Sequence, residues 1–233
     1  MRSFAVAAVL CGVPVAAAPA AELTPAYPAN APAIFSWTGL YFGANVGGAF
    51  GKTSWNDPFS GLSDSPSLSG LVGGAQVGYN RQIDALVLGV EGDFSAGEIT
   101  AGATDSLGFS HTSTVIWTST VTGKVGFAVN RALFYGKGGL ALAGEQESVA
   151  DPFINTASGN SNTASAGTVV RTGWTIGAGV EYAWDRKWSA RIEYDYLAFG
   201  SQGLAFSGPI LGNASAPVTL DIQRVLGGIN YHF

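Results

Sequence analysis

"RVLGGINYHF", residues 224–233, alternates along its length. Val225, Gly227, Ile229, Tyr231 and Phe233 fall on one face of an extended chain, and Arg224, Leu226, Gly228, Asn230 and His232 on the other. One face is apolar or small, the other mostly polar, and that period of two marks a strand whose two sides have unlike surroundings. Its last residue is an aromatic, where termini are ordinarily frayed and solvated. The stretch therefore reads as a strand that closes a sheet.

Working outward, the same rule recurs in seven further stretches. Leu40, Phe42, Ala44, Val46 and Phe50 share an apolar face in the first, and Leu71, Ala75, Val77 and Tyr79 in the second. Leu86, Leu88, Val90 and Phe94 follow, then Val115, Trp117, Val121, Val125 and Phe127 opposite Thr118, Thr120, Thr122 and Lys124. Phe134, Leu140 and Leu142 make the fifth face, and Val170, Trp174, Ile176, Val180 and Tyr182 the sixth. Ala190, Ile192, Tyr194 and Tyr196 oppose Arg191, Glu193 and Asp195 in the seventh, and the opening decapeptide is the eighth.

The connections alternate in length. Segments near 80–85, 130–132 and 184–188 are short, whereas 51–67, 97–112, 144–168 and 199–217 are long and rich in Ser, Gly, Asn, Asp and Pro. Short periplasmic turns alternating with long outer loops is the layout of an outer-membrane barrel. Trp37, Tyr41, Tyr79, Trp184, Trp188, Tyr231 and Phe233 gather toward the short-turn end, where an aromatic girdle is expected at headgroup depth.

Composition agrees. Of 233 residues 33 are Gly and only 12% are charged, against about 25% in soluble domains. Arg2, the apolar run Phe4 to Val15 and Ala18-Pro19-Ala20 read as a signal peptide over 1–20, followed by a Pro-rich linker over 21–35 and a barrel over 36–233. The single cysteine, Cys11, lies within the leader, and a lipoprotein reading would need a Leu where Ala8 stands. Disulfides, thiol catalysis and Cys-zinc sites are thereby excluded from the expected mature chain. No later stretch reaches the roughly 18 apolar residues of a spanning helix. A secreted, apolar chain without such a helix can live in a bilayer as a closed barrel, whose backbone groups all pair between strands. The fold class expected is all-β: an eight-stranded antiparallel up-and-down transmembrane barrel, surrounded by outer-membrane lipid and lipopolysaccharide.

The register turns ten charges inward. Glu91, Asp93, Glu181, Glu193 and Asp195 face Lys124, Lys137, Arg171, Arg191 and Arg224, five acids against five bases. An eight-stranded interior is just wide enough for side chains to fill, so these groups are expected to neutralise one another across the lumen. A path for small solutes is the competing reading. Asp57, Asp64, Glu98, Asp105, Glu145, Glu147 and Asp151 are placed in the long outer segments with only Lys52 against them. The short turns carry Arg81, Arg131, Arg186 and Lys187 with Asp84 and Asp185. No basic stripe for nucleic acid exists, and no calcium-loop spacing is present. His111, flanked by Ser110 and Ser113, is a lone loop histidine, Gly-x-Ser-x-Gly is absent, and neither an enzyme nor a cofactor site is expected.

"FSWTGLYFGANVGGAFG" after the linker and "GGINYHF" at the terminus resemble the outer-membrane immunogenic proteins. These are small surface-antigen barrels, often grouped with porins and similar in fold to the transmembrane domain of outer membrane protein A. The resemblance implies a structural or surface-antigen role in the envelope, with a porin-like channel or a loop-borne adhesin as alternatives. It also implies that the barrel assembly machinery reads the closing strand, through Tyr231 and Phe233. His232 stands where many relatives have Arg. No cell-wall-binding domain is expected after Phe233.

Overall fold

The computed structural model describes residues 35–56, 63–64, 67–104, 110–150, 163–208 and 212–233. The expected signal peptide, Cys11, the linker as far as residue 34, and Asp57, Asp105 and Asp151 lie outside them. The side chains of Asp64, His111 and Glu147 are likewise outside what is described.

Eight long strands build the molecule: β1 (Gly39–Asn56), β2 (Ser67–Ile83), β3 (Leu86–Thr104), β4 (Ser110–Val129), β5 (Ala132–Ala150), β6 (Thr163–Ala183), β7 (Trp188–Gly208) and β8 (Gly212–His232). Each pairs antiparallel with its sequence neighbour, and β8 pairs with β1 from Tyr41↔His232 to Trp55↔Val218, so the sheet closes on itself. A two-residue strand, Ser63–Asp64, pairs with the far end of β1. Closure removes the free edges that would otherwise expose unpaired backbone to lipid.

The alternation becomes an outside and an inside. Val46, Leu71, Val121 and Ile192 are 66%, 79%, 66% and 69% exposed on the outer wall, a pattern that only an apolar surrounding can favour. The tight turns at Asp84 and Asn130 each place a non-Gly residue at φ 54°, which Asp and Asn tolerate better than most.

Much of what the sequence suggests as long loops is strand. β3 runs to Thr104, β4 starts at Ser110, β5 runs to Ala150 and β7 to Gly208, so these hairpins extend well past the apolar band. Period two persists as far as Ala101, buried on one face with Ile99, but the outward positions Glu98, Thr100 and Gly102 are polar or small instead of apolar. Register shifts occur in the same region, between Ala96 and Ile99, Val115 and Trp117, Glu145 and Glu147, and Ala198 and Ser201. The last includes Gly200 at φ 62°, a backbone conformation that glycine adopts without strain.

Two expected placements change for this reason. Ile116 is an extra residue in β4, and beyond it the alternation inverts, so Val115 faces the interior and is fully buried instead of facing lipid. Glu145, expected in an outer loop, is a buried residue of β5 opposite Val115.

Candidate functional site

The interior is filled in three layers. In the middle lie eight charges, four acids and four bases, all buried: Glu91, Asp93, Lys124, Lys137, Arg191, Glu193, Asp195 and Arg224. Glu91 gathers four partners. Its Oε2 accepts from Tyr41 Oη at 2.6 Å, Lys124 Nζ at 2.8 Å and Arg191 Nη1 at 2.6 Å, and its Oε1 faces Lys137 Nζ at 3.4 Å. Lys137 continues to Glu193 Oε1 at 2.5 Å and Asp195 Oδ1 at 3.3 Å. Arg224 bridges Asp93 Oδ1 at 3.0 Å and Asp195 Oδ2 at 2.8 Å, with Thr118 Oγ1 at 3.0 Å. Neutral amides extend the network: Asn45 donates to Asp93 Oδ2 at 3.0 Å and to Gln76 Oε1 at 2.7 Å, and Gln76 donates to Asn230 Oδ1 at 2.7 Å.

Two glycines admit two phenols into this layer. A Cβ at Gly78 would run into the Tyr41 ring, and one at Gly179 into the Tyr135 ring. Tyr41 Oη then reaches Glu91 Oε2, and Tyr135 Oη reaches Glu193 Oε2, each at 2.6 Å. Lys124 Nζ lies 5.0 Å and 4.4 Å from the two ring centres, close enough for cation–π attraction.

The short-turn end is closed by aromatics. Phe35, Trp37, Val87, Leu133, Tyr135 and Ala183 form an apolar cluster. Trp37 is 0% exposed and Tyr41 1%, so neither belongs to the girdle in which the sequence places them. The chain before β1 folds inward there, held by Trp37 N donating to Gln82 Oε1 at 2.9 Å. His232 packs against Phe35, Trp37 and Tyr41 with ring centres 5.3–5.7 Å apart, and its Nε2 lies 2.9 Å from Ser189 Oγ. Glu181 is held in this layer by Ser189 and by Asn230 Nδ2 at 2.7 Å, apart from the central ion pairs.

The opposite end is closed by a layer that alternation alone does not announce. Leu68, Val72, Ile99, Val115, Leu197, Phe199, Leu220, Ile222 and Leu226 belong to one buried cluster inside the barrel. Arg171 lies outside the central network, where it pairs with Glu145, which also accepts from Ser113 Oγ at 2.9 Å. The signal available in the sequence was the string of large apolar residues on the face otherwise assigned to charges, Leu197, Phe199, Ile222 and Leu226 among them.

The girdle itself is made of Tyr79, Trp184 and Trp188, 42–45% exposed, with Tyr231 and Phe233. Phe233 is 75% exposed, its ring 5.7 Å from Phe42 and 5.2 Å from Tyr231, and its N–H donates to Leu40 O at 3.1 Å. Among the described residues no group of three or more His, Cys, Asp and Glu side chains is placed to hold a metal ion.

A closed barrel with a lipid-facing wall and a buried polar interior is matched over residues 5–233 by the family model described as outer membrane protein beta-barrel domain. The chain belongs to that family. It is 36% identical over 226 residues to a 31 kDa outer-membrane immunogenic protein of Brucella melitensis, covering 90% of this chain and 89% of the relative. A 25 kDa outer-membrane immunogenic protein of Brucella abortus is 28% identical, covering 85% and 80%. Among solved structures, the outer membrane protein OprG from Pseudomonas aeruginosa superposes with a TM-score of 0.53 at 17% identity, covering 85% of this chain and 97% of that one, which speaks for the fold. The protein is thus an outer-membrane β-barrel with surface-antigen relatives.

Proposed function

We propose that the protein is a sealed structural barrel of the outer membrane, whose work is done by its wall and by the outer segments it displays as a surface antigen. The observation that carries this reading is the stacking of the lumen: a neutralised set of four acids and four bases lies between two buried apolar clusters. An ion crossing it would have to separate pairs at 2.5–3.0 Å and then pass side chains that offer it no solvation. Aqueous channels belong to barrels with about twice as many strands. Assembly fits the same picture: Tyr231 and Phe233, on the strand that meets β1, are the residues the assembly machinery would read.

The test is single-channel conductance of the refolded protein in a planar bilayer, with Arg191→Ala and Glu193→Ala alongside. A silent membrane is expected, from protein shown to be folded by its heat-modifiable gel mobility. Stable, ion-selective steps that change in the variants would overturn the sealed reading in favour of a small-solute channel.

A further inference from the structure

The lipid-facing wall is not uniform. Between β4 and β7 an apolar groove of about 950 Å³ opens on the outside of the barrel, lined by Phe127, Phe134, Val180 and Tyr194 among others. Its floor is low because Gly136 and Ala178, paired with each other, carry almost no side chain. A Cβ added at Gly136 would meet nothing closer than Gly177 O at 3.8 Å, so the space is open.

At the short-turn end of this same wall the charge is lopsided. Arg131 lies in the β4–β5 turn, Arg186 and Lys187 in the β6–β7 turn, and all three are exposed. The two turns are tied together: Ala183 N donates to Arg131 O at 2.9 Å, and Arg131 Nη1 to Trp184 O at 3.3 Å. Lys187 Nζ rests 3.1 Å from Tyr231 Oη. Asp185 is the one acid in these two turns, and its carboxylate accepts from the backbone N–H of Arg186 at 2.6 Å. Trp184 and Trp188 flank the bases with exposed rings, as side chains at headgroup depth do. The remaining short turn, with Arg81 against Asp84, is balanced.

We propose that this wall retains a phospholipid with an anionic headgroup, drawn from the leaflet that meets the short turns. Its phosphate sits among Arg131, Arg186 and Lys187, and an acyl chain lies in the groove over Gly136 and Ala178. Charge complementarity selects the headgroup: each base near an anionic lipid surface contributes about fivefold in binding. The groove selects a tailed ligand over a soluble one, because apolar surface gains only from apolar contact. The proposal is independent of whether the lumen conducts.

The full chain, refolded into bilayers of equal phosphatidylcholine and phosphatidylglycerol, is released under mild conditions and its retained lipid counted by native mass spectrometry. Phosphatidylglycerol is expected in excess of its bulk share by about one to two orders of magnitude, three bases acting against the single acid Asp185. Arg131→Gln, Arg186→Gln and Lys187→Gln combined should bring the ratio back to bulk, while Arg81→Gln leaves it alone. Gly136→Leu should reduce retention of both lipids by filling the groove. Heat-modifiable mobility separates failed insertion from lost preference. Retained lipid that follows the bulk mixture in the parent protein, or a preference that survives the triple substitution, would overturn the proposal. Displacement of the lipid by glycerol phosphate alone would do the same for the acyl-chain half.

Discussion

The barrel is two unequal copies of one half. In β1–β4, Tyr41 fits over Gly78 and donates to Glu91, with Asp93 two residues on; in β5–β8, Tyr135 fits over Gly179 and donates to Glu193, with Asp195 two residues on. The local sequences agree, Val90-Glu-Gly-Asp-Phe94 against Ile192-Glu-Tyr-Asp-Tyr196. The acids repeat but the bases do not. Lys124 is the only central base in the first half, whereas Lys137, Arg191 and Arg224 all come from the second. Each of those three bridges an acid of its own half and an acid of the other. What differs between the copies is therefore what ties them together.

The two halves should differ most at the matched acids Glu91 and Glu193. Glu91→Ala strips partners from Tyr41, Lys124, Lys137 and Arg191 at once, and leaves Lys124 with no carboxylate among its described contacts. Removing one side of a buried ion pair costs about 3–5 kcal/mol. Glu193→Ala at the matching position should cost about 1–3 kcal/mol, because Lys137 keeps Asp195 and Glu91, and Arg191 keeps Glu91. Urea unfolding of the refolded barrel in vesicles measures both. Equal losses would mean that the halves share the load evenly, against the distances observed.

The two glycine seats should be equally sensitive in both halves. Gly78→Ala and Gly179→Ala each press a methyl group into a phenol ring that is pinned by a carboxylate. Overpacking of this kind costs about 1–3 kcal/mol. The two midpoints should fall by similar amounts, and a loss in one half alone would show that the second phenol can swing aside.

How much of this the sequence discloses follows from where period two is enforced. Where one face meets lipid and the other a packed interior, a slip of one residue would bury charge or expose it to lipid, so Phe42, Val77, Val121 and Ile192 declare their side plainly. All ten inward charges sit on the face that alternation assigns them. Partners are another matter, because they depend on stagger between strands distant in sequence: Arg171 and Glu181 leave the central group for Glu145 and Ser189. Val115 is misread because the bulge at Ile116 adds one residue, and nothing in the composition of β4 marks it. Trp37 and Tyr41 are misread because an aromatic near an interface can cap a lumen as readily as it can face headgroups. The Glu-x-Asp repeat was legible, and comparing β3 with β7 would have found it.

A smaller asymmetry lies in the phenols. Tyr41→Phe removes a donation to Glu91 and an acceptance from Lys124 at 2.9 Å, whereas Tyr135→Phe removes only the donation to Glu193 among the described contacts. Hydrogen bonds to charged groups contribute about 1.5–3 kcal/mol each, and Glu91 retains three bases, so the loss at Tyr41 should lie near the lower figure. Thermal loss of the compact gel band ranks the two, with Tyr41→Phe expected to melt first.

The smallest effect is expected at Gly92, which corresponds to Tyr194 in the second half and points outward. Tyr194 spends its position on the wall, donating to Gln223 Oε1 at 2.9 Å, while a Cβ at Gly92 would meet nothing within 4 Å. Glycine inside a strand is less favourable than alanine by about 0.5–1 kcal/mol, and the added methyl faces lipid. Gly92→Ala should therefore be neutral or stabilising by up to about 0.5 kcal/mol in the same urea titration. Gly78 and Gly92 lie on adjacent paired strands but face opposite sides of the wall. If Gly92→Ala cost as much as Gly78→Ala, the loss at Gly78 would belong to strand conformation, not to the seat of Tyr41. The matched Tyr–Gly–Glu units would then be a coincidence of sequence without a role in closing the lumen.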